Sequence, residues 1–219
     1  MKYKIEHRPS FSLLEVELDA GESIQAEAGA MVYMDPTVEI VTKAKGGLLG
    51  ALKRSILGGE SFFVNIFKGP GKVGLAPGYP GDIIGLEVNG KLYAQSGAFI
   101  AASEDIDIDV KLGGIKTVIG REGLFLLELR GRGIAFLSSY GGIQKISLRG
   151  ESLIVDTSHL VAFTEGIDFT IKTIGGLKST LFGGEGFVFE FRGTGDVYIQ
   201  TRSLDGFLSW LLPHLPSSR

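Results

Sequence analysis

The chain is predicted to be all-β, a single closed β-barrel or double-stranded β-helix built from three internal repeats with pseudo-threefold symmetry. Three observations predict this. Gly accounts for 33 of 219 residues, about twice its usual share, which implies many turns. Short apolar stretches alternate with a period of two, as half-buried strands do. One pattern recurs three times along the chain, and self-similarity of this kind governs any reading of the fold.

The copies open at Gly21-Glu22-Ser23-Ile24, Gly90-Lys91-Leu92-Tyr93 and Gly150-Glu151-Ser152-Leu153, each read as a turn-like Gly leading into a strand. A second strand follows in each, reaching Val38-Glu39-Ile40, Ile106-Asp107-Ile108 and Ile167-Asp168-Phe169. An apolar–acidic–apolar triplet of this sort fits a strand with one buried face. Gly-rich connectors come next. Residues 50–60 align without gaps on 175–185, and the middle connector, 113–122, is one residue shorter. The third strands are apolar: Phe62 to Phe67, Leu124 to Leu129 and Phe187 to Phe191. They close with a basic residue and Gly-x-Gly, read as turns, whose first glycines fall at 69, 131 and 193, an equal interval of 62 residues.

These repeats occupy about 21–71, 90–133 and 150–195 of one domain spanning 1–219, with an apolar C-terminal tail at 204–219. Separate beads of this size would be marginal, and no flexible linker divides them. Closure of the sheet would remove exposed edges.

With no Cys, disulfides and thiolate metal sites are excluded and a reducing cytoplasm is the expected location. The first ten residues carry Lys2, Lys4, Glu6 and Arg8 in place of an apolar signal core. No apolar run approaches the roughly 20 residues of a membrane-spanning helix. A pI near 5.7 and the lack of a basic cluster argue against nucleic acid as a partner.

The early Gln25 to Met31, the loop Gly46 to Arg54, Gly59 to Phe63, Gln95 to Phe99 and Phe125 to Gly133 together carry a resemblance. The chain resembles the altered-inheritance-of-mitochondria family of β-proteins, formerly a domain of unknown function, over nearly its whole length. The resemblance implies a fold grouped with the tryptophan RNA-binding attenuator protein. In mitochondrial members it implies a link to inner-membrane organisation, and it implies no recognised catalytic centre. One fold hosts many functions, so the relation to an RNA binder does not carry over.

Motif by motif, chemistry is hard to place. Gly69 to Gly74 satisfies G-x-G-x-x-G, but Pro77 and Pro80 forbid the helix that a dinucleotide site needs. The Gly-Gly-x-Lys-(Ser/Thr) pieces at 114–117 and 176–179 lack phosphate-loop spacing. Glu104 to Asp109 spaces acids like half a calcium loop, but Val110 and Lys116 replace the Gly and Glu that would complete it. His7, His159 and His214 show no ligand spacing. Neither a metal, a cofactor nor an enzymatic role is expected.

Two sets of equivalent charges, Lys53, Lys116, Lys178 and Glu60, Glu122, Glu185, are the candidate rim for a partner or small anion. In the tail, Phe207, Trp210 and Leu211 are the candidate self-association surface, since a monomer seldom exposes such a patch. The 46–57 insertion and the tail are both amphipathic enough to touch a membrane surface. The expected function is a non-enzymatic, homo-oligomeric scaffold or partner-binding module, with a trimer the expected assembly. The alternative is a small-molecule, lipid-binding or enzymatic barrel with a pocket between repeats, marked by His159 beside carboxylates.

Overall fold

The computed structural model describes residues 1–43, 64–111, 125–173 and 187–215. Within them, the strands are described in three consecutive passages. The first contains β1 (Lys2–Glu6), β2 (Leu13–Leu18), β3 (Ser23–Glu27), β4 (Met31–Met34), β5 (Glu39–Lys43), β6 (Val64–Lys68) and β7 (Gly71–Leu75). The second contains β8 (Ile83–Gln95), β9 (Phe99–Ser103), β10 (Asp107–Lys111) and β11 (Leu126–Ser138). The third contains β12 (Ile143–Asp156), β13 (Leu160–Thr164), β14 (Ile167–Thr173) and β15 (Phe187–Gln200), and a short helix α1 (Leu204–Leu211) ends it.

The expectation of a mostly β chain is met; the expectation of a closed barrel is not. One sheet runs β1-β2-β7-β4, and an eleven-stranded sheet runs from β12 through β15, β13, β8, β11, β9, β3 and β6 to β5, with β10 on β11 and β14 on β15. Both paths are open. β4 pairs only with β7 and β12 only with β15 among the described residues, so no ladder joins the two ends. The loop insertion 46–57 and the connectors lie outside the described residues.

Only the middle triplet buries both apolar members, Ile106 and Ile108; in the others Ile40 is exposed and Phe169 half-buried. Val38, Ile106 and Ile167 are buried while Glu39, Asp107 and Asp168 are exposed. The acidic run near 104–109 is likewise exposed, Glu104 and Asp105 in the turn before β10 and Asp107 and Asp109 on its wet face, with Ile108 turned inward.

The glycines read as openings and closures need correction. Gly21 does lie in a turn, but Gly90 sits inside β8 opposite Gly131 of β11, and Gly150 sits inside β12. Gly131 and Gly193 also lie within unbroken strands. What selects Gly there is close backbone approach: a Cβ on Gly69, Gly131 or Gly193 would stand 2.5, 2.5 or 2.2 Å from the carbonyl oxygens of Asp19, Asp105 and Gly166. At Gly131 and Gly193 the backbone also takes φ of +141° and +126°, which disfavours any side chain. Each long strand is thereby bent tightly against the turn beside it.

Three apolar clusters fill the interior. One gathers Leu14, Val16, Phe67 and Leu75 with Ile83, Ile100 and Phe136. A second centres on Leu92, Phe99, Leu127 and Leu137, and takes in Val64, Val161 and Tyr198. The third holds Phe163, Phe189, Phe191 and Val197, with Leu126 reaching in from β11. Stacked Tyr93 and Phe163, with ring centroids 4.9 Å apart, join the ladder between β8 and β13.

Candidate functional site

The chain enters its first, second and third passages through Phe11, Gly81 and Gly141, which lie side by side as parallel bridges. Ser12 N–H donates to the Gly81 carbonyl and Asp82 N–H to the Gly141 carbonyl, each at 3.0 Å. Only Gly fits at 81, because a Cβ would stand 1.5 Å from the Ser139 oxygen. Next to this crossing is the one buried carboxylate tied to a cation from the chain's start. Arg8 donates through Nε and Nη2 to the two Asp82 oxygens at 2.8 Å each, and Ser12 Oγ and Ile83 N–H add bonds of 2.9 and 2.8 Å. Burial alone would raise the Asp82 carboxyl; Arg8, Ser12 and the Ile83 N–H outweigh it and hold the group below the ordinary carboxylate range. Both oxygens of this carboxylate are bonded within the protein, so it is a brace.

Over the crossing opens a recess of about 610 Å³. Pro9, Ser10 and Phe11 form one wall, Tyr140, Gly141, Gly142 and His159 another, and Thr201 to Ser203 with Phe207 and Trp210 of α1 the third. Gln200 anchors these walls. Its backbone oxygen accepts from His159 Nδ1 at 2.8 Å, its side-chain oxygen from Tyr140 N–H at 2.8 Å, and its amide nitrogen donates to Ser158 O at 2.7 Å. His159 thus directs Nε2 away from that anchor as its remaining polar atom.

Helix α1 is placed by its cap. Ser203 Oγ accepts from Gly206 N–H at 3.1 Å and Pro213 stops the run two residues beyond Leu211. Phe207 packs on Tyr140 with centroids 5.8 Å apart and on Trp210 at 6.1 Å. None of the helix residues is buried, and Trp210 is 61% exposed.

Of the residues singled out in the sequence, Lys53, Lys116, Lys178, Glu60, Glu122 and Glu185 lie outside the described residues. Phe207 and Trp210 come together at the recess, and half-buried Leu211 lies beside them on α1. His159 does line the recess, but no carboxylate does. The sequence reading missed Asp82 and Arg8, 74 residues apart, because nothing local marks a charge as buried. No group of three or more acidic or His side chains able to hold a metal occurs among the described residues.

The model of the family described as mitochondrial biogenesis AIM24 matches residues 3–202. The chain belongs to this family. An uncharacterised protein of Streptococcus pyogenes serotype M6 is 34% identical over 229 residues, covering 100% of this chain and 92% of its own. A crystal structure of a Streptococcus pyogenes protein superposes with a TM-score of 0.84 at 35% identity, covering 98% of this chain and 99% of that one. The family match ends at Arg202, so α1 falls outside it while the crossing and Gln200 fall within. No helix among the described residues is long and apolar enough to cross a membrane.

Proposed function

We propose that this AIM24 protein is a non-enzymatic, self-assembling β-module that serves as a scaffold or partner-binding protein, and that its chain is three copies of one strand unit. The single observation carrying the reading is the apolar surface of α1 and its extension. Leu204, Phe207, Leu208, Trp210, Leu212 and Leu215 are all exposed by 38% or more, a continuous patch of a kind that monomers rarely present to water. Support for the three units comes from ladders: β12 pairs β15 as β8 pairs β11, and β14 pairs β15 as β5 pairs β6 and β10 pairs β11. A homo-oligomer, with three subunits as the expected number, buries that patch.

A second reading has one observation in its favour. The recess combines aromatic walls from Phe11, Tyr140, Phe207 and Trp210 with Arg202 and His159, a set suited to a small amphipathic molecule or lipid with an acidic head. Native mass spectrometry of gently purified protein separates the two. A ligand-free oligomer that dissociates in Trp210→Ser and Phe207→Ser supports the scaffold; a clean monomer at high concentration removes it. A stoichiometric bound mass establishes the second reading in its place.

A further inference from the structure

Resting on the reading of three equivalent units, a specific assembly contact follows from the ladders between them. β9 of the second passage pairs β3 of the first through Ser103↔Ile24, Ala102↔Gln25 and Ala101↔Ala26. β13 of the third pairs β8 of the second through Thr164↔Leu92, Phe163↔Tyr93 and Ala162↔Ala94. The two junctions have the same register: β9 and β13 each carry a bulge at the same place against their own partner strand, after Phe99 and after Leu160. β4 carries it too, after Met31.

A third junction of this kind would join β4 of the first passage to the second half of β12. By the same register it would pair Asp35 with Leu153, Met34 with Ile154 and Tyr33 with Val155. In this chain it is unmade, and two residues at its edges are wet, although Val155 is already buried in the third cluster. Val32 and Ile154 are 58% and 61% exposed, whereas Ile100 and Val161, which occupy the place of Val32, are buried; in the place of Ile154, Gln25 is buried and Tyr93 half-buried.

The two edges are also unguarded. Proteins usually put charges on free edge strands to prevent pairing with other chains. β1, β5, β10 and β14 obey, with Lys2, Lys4, Glu39, Asp107, Asp109, Asp168 and Lys172. Met31 to Met34 and Ser152 to Val155 hold no charge, with Asp35, Glu151 and Asp156 only at their ends.

We propose that the β12 edge of one copy pairs with the β4 edge of a second copy, reproducing between chains the junction made twice within each. The occupant is another copy because it alone brings the complementary strand, of matched register and bulge, that each edge lacks. The contact is head-to-tail, so every protomer uses both edges and the contacts propagate, into a ring where the rotation closes and into a filament where it does not.

The chain has no Cys, so thiols can be introduced singly. Met34→Cys protein is mixed with Ile154→Cys protein, treated with a short bis-maleimide, and its mass followed by light scattering. Mixed Met34/Ile154 cross-links should exceed like-with-like products by about tenfold, because juxtaposed thiols have a high effective concentration. Val32→Lys and Ile154→Lys should lower the mass with the circular dichroism spectrum kept. An oligomer without excess mixed product, or with Met34 linked to Met34, overturns this contact and leaves self-assembly standing. A monomer overturns both, and a double variant cross-linked only within its own chain shows that the edges close on each other and also overturns the contact.

Discussion

Arg8 and Asp82 meet through two parallel hydrogen bonds of 2.8 Å, fastening the segment ahead of β2 to the start of β8. Asp82 is almost wholly buried, while the Arg8 side chain remains 49% exposed. The pair is therefore asymmetric: the carboxylate loses far more water than the guanidinium.

Removing the cation should then cost more than its exposure suggests. Arg8→Ala leaves a buried carboxylate held only by Ser12 and the Ile83 N–H, and we expect a loss of about 2 kcal/mol in urea unfolding, below the 3–5 typical of a fully buried pair. Because the folded carboxyl lies below its ordinary value, its contribution is present above about pH 4 and is lost as pH falls further. The acid limb of stability should be flatter in Arg8→Ala than in the parent.

Glu15 and Tyr33 offer a separate titration. The Tyr33 hydroxyl donates to Glu15, which also faces Lys72 and Lys4, and the carboxyl is brought down to about 2 while the phenol is pushed up to about 12. Tyr33→Phe should return Glu15 part of the way toward its ordinary 4.5, read by carboxyl chemical shifts during an acid titration. In the parent the Glu15 contribution is present above about pH 4.5 and disappears toward pH 2, and the Tyr33 contribution disappears as pH rises toward 12.

At the crossing, Gly81→Ala would place a methyl on the Ser139 carbonyl. Either the Phe11 or the Gly141 bridge must open, and we expect a loss of about 3 kcal/mol or more in thermal unfolding. Gly78→Ala, whose added methyl meets nothing within 4 Å, is the control and should unfold close to the parent.

The cap of α1 is expected to be worth about 1 kcal/mol, the usual cost of replacing an N-cap Ser with Ala. Ser203→Ala should speed hydrogen exchange at the Gly206 amide and raise the mobility of Trp210, the chain's one Trp, by fluorescence anisotropy. The β ladders should be untouched.

Much of the fold was legible because period-two apolarity is a local property: Val38, Ile106 and Ile167 announce their buried face by their neighbours alone. The glycines misled in an instructive way. Gly90 and Gly131 look like turns because Gly usually marks them, but they face each other within a ladder, where the Asp105 carbonyl crowds Gly131. Barrel closure was inferred from repetition, which describes units without saying that the last junction forms; the exposure of Val32 and Ile154 is what reports it open. At the recess, Phe207 and Trp210 stood out as large aromatic residues in an apolar tail, whereas the Gln200 anchor and the Arg8–Asp82 brace depend on partners 41 or more residues away and leave no trace in sequence spacing.

The sharing of side chains between neighbouring cores has a thermodynamic corollary. Ile83, Ile100 and Phe136 of the second passage complete the cluster of the first, and Leu126 of the second enters that of the third. No third of the chain therefore owns a full complement of buried apolar surface, and excising one strips its neighbours. Cooperativity is built in at the level of individual methyl groups, so the described body should melt in one transition, with calorimetric and van't Hoff enthalpies in agreement.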